Sequence, residues 1–457
     1  MSDFEGRTRQ WDGLASAVLR KGKKAGVQVE IRFATSDTLT VKVRKKALDE
    51  LRQTASTVAG LRVFAGTRCV TGSTSHVDEK HLVRLLERLA ESVKLVDEDP
   101  ANGLPDKDLL WDGRKAEELG LFDESLVDFP VETARQMALE AEEAAYGADP
   151  RIANSDGGGV SASVRQVRLF NSLGLEAAAT TSSVSLWADA VAQDSQGNKF
   201  AEGWESAARQ LKLLDPPARV GETAGRRAAA LIGAGKVPTG KHPVLFAPET
   251  AGALVGLVFS SAAGDAVYKG ASWLAGREGT AVGSELVSVI DDPRRAQGLS
   301  SALFDSEGVA TSRLVLVDKG VLRFFPCDSF AARKLGRKST GHSARGAGGA
   351  GAIQSYNLYL ENGAKGPEEL LAAMGTGLLV TGFIGFGFNL ATGDLSRGVR
   401  GFWIENGKRV RPVQEVTVAA NLGDLLRNVV AVGNDLEFRF GTDSPSLLVK
   451  EMSISGS

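Results

Sequence analysis

Cysteine is nearly absent: Cys69 and Cys327 are the only two in 457 residues. So low a count excludes a disulfide-stapled scaffold, and the wide separation of the pair suits a reducing cytosol. Neither has a partner at C-x-x-C spacing. Histidine is scarce too, with His76, His81, His242 and His342 the only four. No two of them fall i, i+4 on one helix side, so no metal pair can be drawn from spacing. An excess of charge of one sign is also lacking, since 54 Lys and Arg offset 56 Asp and Glu for a net charge of −2. That balance offers nucleic acid no electrostatic footprint. No G-x-S-x-G elbow is present. The opening residues, MSDFEGRTRQWDG, lack the apolar run of a signal peptide, and a cytoplasmic location is expected.

What is present is the balance of a soluble protein, 43% hydrophobic and 24% charged. The length predicts two to three domains and a large core. Leu370–Gly393 carries no charge and is long enough to span a bilayer. It holds six glycines and three threonines, and it reads as buried β-structure with tight turns rather than as a membrane span. No membrane partner is expected.

The periodicity predicts α+β architecture. Trp11, Leu14 and Val18 mark an opening helix that Gly26 ends. Val27, Val29, Ile31 and Phe33 alternate as a strand, and Leu39, Val41 and Val43 repeat the pattern after a TSDT turn. Strands around LRVFAG and RCVTGSTS follow, then a helix from Asp78, the candidate cap. A helix after Pro130 leads into three strands turned at NSLG and DSQGN. Pro216 and Pro217 give the best boundary. The expected organisation is an N-terminal helix and antiparallel-sheet domain, residues 1–215, and a C-terminal strand-rich domain with a mixed sheet, 216–457. Hairpins are expected at DKG and ENGK. PETAGALVGLVFSSAAGDAVYKG reads as one helix whose second half is lined with small residues.

Several motifs fit in letters only. GKVPTGKH resembles a phosphate-binding loop, but His242 replaces the hydroxyl, and a helix precedes it where a strand is needed. GAGGAG, Gly346–Gly351, has no strand leading in and reads as a turning loop. His342 lies among hydroxyls and cations in KSTGHSARG. Asp394, Ser396 and Arg397 sit on a turn between apolar strands, where Asx-type turn chemistry competes with a place on the edge of a binding cleft.

FDSEGVATSR, DSFAARKLGRKSTGH, MGTGLLVTGFIGFGFNLATGDLSRGVRGFWIENG and NVVAVGNDLE, with VEIRFATSDTLTVKVRKK, GLRVFAGTRCVTGSTS and EDPANGLPD upstream, together resemble the TldD/PmbA family, also known as modulators of DNA gyrase. The blocks span nearly the whole chain in order. The TldD branch resembles a zinc protease with an H-E-x-x-x-H helix and a later Cys, whereas the PmbA (TldE) branch lacks these ligands and pairs with TldD. In that register Ser260 and Ser261 take the His-Glu positions and Asp265 the second His. Serine hydroxyls are poor zinc ligands, and neither can replace the glutamate as general base. GTDSPSLLV offers no Cys near the C-terminus.

The resemblance therefore implies a subunit with no catalytic residue, metal or cofactor of its own, with zinc expected in a TldD-like partner and an unfolded peptide as substrate. His342, Asp394, Ser396 and Arg397 are the candidate cleft-lining residues. The alternative from the same missing ligands is a homodimeric peptide-binding protein without protease activity. A third reading, a hydrolase using His342 with Asp394 or Ser396, has no nucleophile–base spacing behind it.

Overall fold

In the computed structural model, residues 8–113, 119–346, 349 and 351–456 are described. Helix α1 (Trp11–Lys24) ends ahead of Gly26, whose φ is 72°. Strands β1 (Gln28–Arg44), β2 (Ala47–Ala65) and β3 (Arg68–Thr74) follow, then α2 (Glu79–Ser92), capped by Asp78 through the His81 amide at 3.0 Å. Helix α3 (Val131–Gly147) follows Pro130 and leads to β4 (Ile152–Asn171), β5 (Glu176–Gln193) and β6 (Lys199–Ala208). These six strands form one antiparallel sheet in the order β3-β2-β1-β4-β5-β6.

The expected TSDT turn is not there: β1 runs straight through Thr35–Thr38, and the chain turns at Lys45 and Lys46, both with positive φ. The alternation explains it. Val29, Ile31, Phe33, Leu39, Val41 and Val43 share one parity, so no reversal interrupts the pleat. That face is covered at one end by α1 and α2 and at the other by α3 and helix α4 (Pro217–Ala230). Helix α4, which follows the division expected after residue 215, packs on the first sheet and α3. Val220, Ala224 and Ala228 of α4 are buried with α3 and the sheet, and a side chain on Gly221 would overlap the Ala141 carbonyl of α3.

The C-terminal half is strand-rich with mixed sheets, as the sequence predicts. Strand β7 (Gly240–Phe246) precedes helices α5 (Pro248–Ala262) and α6 (Gly264–Tyr268). Next come β8 (Val289–Asp291), the hairpin β9 (Leu314–Asp318) and β10 (Val321–Leu322) at DKG, and α7 (Ser329–Lys334). The short strands β11 (Ser343–Ala344), β12 (Ala352–Ile353) and β13 (Leu358–Leu360) lead to α8 (Pro367–Met374) and β14 (Gly377–Ile384). The ENGK hairpin joins β15 (Asp394–Glu405) to β16 (Lys408–Asn421), and α9 (Leu422–Arg427), β17 (Val429–Val432), β18 (Thr442–Asp443) and β19 (Leu447–Ser455) complete the chain.

One six-stranded sheet runs β16-β15-β14-β7-β19-β17, and an extra β16–β19 pairing closes five of its strands into a ring. Val244, Phe246, Val380, Val418 and Val449 fill its inner side, against Leu254, Val258 and Phe259 of α5. Leu370–Gly393 is therefore only partly β-structure. Its first residues belong to α8, whose Leu370, Leu371 and Met374 seal the outer side of the sheet. Among the described residues no helix is long and apolar enough to cross a membrane. Gly240, Lys241 and His242 of the phosphate-loop look-alike lie in β7, where His242 stands edge-on to Trp403. In GAGGAG, residues 347, 348 and 350 lie outside the described residues.

Candidate functional site

The stretch read as one helix is two. Helix α5 stops at Ala262, Ala263 is extended (φ −56°, ψ 127°), and Gly264 starts α6. The Gly264 amide donates to the Pro326 carbonyl at 2.8 Å, and a side chain there would overlap Cys327 Sγ. The helix thus breaks where it must lie flat against the segment before α7.

The break disperses the three positions that matter. Ser260 is exposed and donates back to the Gly256 carbonyl at 2.9 Å. Ser261 is buried; its hydroxyl donates to the Leu257 carbonyl at 2.7 Å and accepts from Trp273 Nε1 at 3.0 Å. Asp265 is half-buried and pairs with Lys269 at 3.7 Å. These donors do not fit zinc. One hydroxyl is saturated by the core, the other serves its own helix, and a single carboxylate cannot hold the ion. Among the described residues no group of three or more His, Cys, Asp or Glu is placed to hold a metal.

Asp265, Tyr268 and Lys269 face a pocket of about 250 Å³ shared with Arg62, Cys69, Asp328 and Arg345. Behind it lies a buried network of charges. Arg62 Nη1 donates to Glu307 Oε1 at 3.0 Å and to both Glu30 oxygens at 3.3 Å. Arg345 Nη2 donates to the same Glu307 oxygen at 3.0 Å and to Asp328 Oδ2 at 3.2 Å. Glu307 Oε2 accepts from the Ser329 amide, and Asp328 Oδ1 caps α7. Burial pushes the Glu307 carboxyl up, but Arg62 and Arg345 outweigh it and hold it below the usual range. Asp305 is driven well above that range by burial and by Glu307. Burial followed by Glu307 also raises Asp328. The network docks the first sheet on the C-terminal half.

His342 is buried in the core. It is 1% exposed, with Nε2 3.1 Å from Asp291 Oδ2 and Nδ1 2.9 Å from the Thr340 carbonyl, and Phe259, Phe324 and Tyr356 surround the ring. Asp394 and Ser396, at the start of β15, border a shallow groove with Phe388 and Ser453. The Asp394 carboxylate accepts from Thr392 Oγ1 at 2.7 Å and Asn421 Nδ2 at 3.1 Å, which is turn chemistry. Arg397 lies over the Phe383 ring and donates to the Gly385 carbonyl at 2.8 Å. His342 therefore meets neither Asp394 nor Ser396 among its hydrogen-bond partners; the hydroxyl beside it is Thr340 Oγ1, 2.8 Å from Nδ1.

The sequence reading missed a large concavity, a groove of about 1440 Å³ between the uncovered face of the first sheet and the C-terminal half. Arg32, Ala34 and Ser36 of β1 and Arg165 and Val167 of β4 form its floor, and Ser300, Ser301 and Gln354 lie on the other side. The signal was available. The residues of β1 between its apolar ones are small or polar, as expected for a face that meets solvent or a ligand instead of a core.

Models of the PmbA/TldA metallopeptidase family match domain 1 at residues 29–93, the central domain at 124–232 and the C-terminal domain at 239–456. Similar proteins include the metalloprotease PmbA of Escherichia coli O157:H7, 34% identical over 96% of this chain and 94% of the relative. The metalloprotease PmbA homolog of Haemophilus influenzae is 33% identical over 95% of this chain and 93% of its own length. Among solved structures, a Bacteroides thetaiotaomicron protein carrying the name modulator of DNA gyrase superposes with a TM-score of 0.90. It is 27% identical, and the match covers 98% of this chain and all of that one. TldE from Thermococcus kodakarensis, 21% identical over 97% of this chain and all of its own, shares the fold with a TM-score of 0.86. Near-complete coverage by these relatives, on the same three-part architecture, makes this chain a member of the PmbA/TldD metallopeptidase family.

Proposed function

We propose that this chain is the non-catalytic, PmbA/TldE-type subunit of a cytoplasmic two-chain zinc peptidase acting on unfolded peptides. The observation that carries the reading is the broken helix α5–α6. At the positions where a zinc protease of this family would place its ligands and base, it has Ser260 and Ser261, whose hydroxyls are spent on helix carbonyls and Trp273, and Asp265, paired with Lys269. A TldD-like partner would supply zinc and the hydrolytic chemistry. This chain would supply one wall of the enclosure, with a groove large enough for an extended segment. Backbone hydrogen bonding to a strand edge would give such an enclosure low sequence selectivity.

The test is co-expression with TldD-like chains, followed by metal analysis and peptide cleavage with and without this chain. The reading expects a mixed complex, zinc in the partner alone, and cleavage only when the partner is present. Stoichiometric zinc and cleavage by this chain alone would overturn it. A homodimer that never exchanges with such a partner would favour a peptide-binding protein without protease activity.

A further inference from the structure

The groove on the uncovered sheet face has an unusual charge balance. Its lining holds four guanidinium groups, Arg32, Arg165, Arg209 and Arg345, against one acidic residue, Asp305. Arg345 is matched by Glu307 and Asp328. The other three differ: among the described residues, none of them forms an ion pair with a carboxylate. Arg209 spends its donors on the carbonyls of Ser182 at 3.1 Å, Gly298 at 3.2 Å and Leu299. Arg32 donates to the Arg345 carbonyl. Arg165 is exposed on the floor, opposite Ser36 in the β1–β4 register.

Carbonyls satisfy the hydrogen-bonding needs of a guanidinium but leave its charge uncompensated. Burial pulls both Arg32 and Arg209 down to about 10, with Arg165 adding to the effect on Arg32. Glu30 and Asp305 act on Arg32 in the opposite sense. Asp305 is a poor counter-ion. It is 3% exposed, its carboxylate accepts from the Ser343, Glu307 and Val309 amides, and its carboxyl is driven well above the usual range by burial. A concave, partly desolvated wall of one sign focuses its field into the cleft.

We infer that this groove selects for acidic stretches of an extended polypeptide, with Arg32, Arg165 and Arg209 as the specificity-determining residues. The inference rests on the peptide-handling reading above and deepens it by naming a substrate class. A peptide is favoured over a small anion because the cations are spread along a cleft of about 1440 Å³ instead of converging on one point. Hydroxyls of Ser36, Ser163, Thr181 and Ser183 between them offer backbone-scale partners.

The test is fluorescence anisotropy on the full chain with labelled unstructured peptides of equal length, differing only in a central run of Glu, Ser or Lys. The Glu peptide should bind about tenfold more tightly than the Ser peptide at low salt, with the advantage shrinking as salt is added. Arg165→Gln should reduce that preference severalfold, and Arg165→Glu should abolish it. Arg165 is exposed, so neither change threatens the fold. Arg226→Gln, on the outer face of α4, should leave the preference intact; an equal loss there would remove the groove from the explanation. Equal binding of Glu and Ser peptides overturns the acidic preference while leaving peptide handling standing. If no peptide binds, both fail. A labelled single-stranded oligonucleotide bound in preference to the Glu peptide would also overturn the inference.

Discussion

Arg62 of the first sheet and Glu307 of the C-terminal half, 245 residues apart, meet at 3.0 Å with both side chains withdrawn from solvent. Removing two charges from water costs several kcal/mol, so the pair adds less to stability than its geometry suggests. Its consequence is dependence: without Glu307, Arg62 keeps only Glu30 at 3.3 Å, and without Arg62, Glu307 keeps only Arg345. Glu307 serves Arg62 and Arg345 at once, so the join between sheet and C-terminal half turns on one carboxylate.

Glu307→Gln keeps the shape and removes the charge. It should lower stability by about 3–5 kcal/mol, read as a fall in the denaturant midpoint. The Glu307 carboxyl is held below its usual value in the folded chain. The stability it contributes is therefore complete above the ordinary carboxylate range and is lost as pH falls through the folded value. The gap between wild type and variant should narrow in acid. A gap that stays constant with pH would rule this account out.

Gly264 sits where the α5–α6 break presses on the Cys327 segment. A methyl group added to it would stand 3.0 Å from the Pro326 carbonyl oxygen and closer still to Cys327 Sγ. Gly264→Ala should cost about 1–3 kcal/mol through overpacking. A methyl group on Gly13, inside α1, would meet nothing within 4 Å, so Gly13→Ala should be neutral or stabilising by about 0.5–1 kcal/mol. Thermal denaturation of the two variants side by side decides the matter, and similar melting temperatures would count against it.

The two thiols should differ in reactivity. Cys327 is fully buried, and burial pushes its thiol up to about 12. Cys69 is half-buried, and burial raises it as well, with Arg62 opposing. Since the thiolate is the reactive form, maleimide labelling of native protein followed by peptide mapping should modify Cys69 first and Cys327 only after unfolding. Early labelling of Cys327 would contradict the packing around Gly264.

Phe386, on the loop after β14, is 102% exposed, and Ile384 beside it is 48% exposed. Exposed aromatics of this kind are common anchors of protein interfaces. If the chain works as one of two subunits, Phe386→Ser should weaken association by about 2 kcal/mol or more without altering the fold. Size-exclusion chromatography of the co-expressed complex reads this directly, and unchanged association would remove Phe386 from the interface.

Much of the architecture was legible because it is local. Asp78 caps α2, Pro130 starts α3, and NSLG, DSQGN, DKG and ENGK turn the hairpins. No turn forms at TSDT because Ser36 and Asp37, loop-like in composition, sit in a strand whose apolar parity is unbroken on either side. The two prolines at 216 and 217 stand at the start of a helix, α4. The α5–α6 break carried no local signal, since its cause is Pro326 and Cys327, far along the chain.

The sequence alone therefore determined most of the elements, the antiparallel first sheet and the strand-rich second half. Periodicity, caps and turns act over a few residues, and their physics is written in order along the chain. Only the tertiary structure decided that His342 is a core residue paired with Asp291, that Glu307 joins two arginines from distant segments, and that three arginines with no ion pair among the described residues share a groove. Burial and electrostatic pairing depend on which segments meet in space, and no spacing along the chain encodes that.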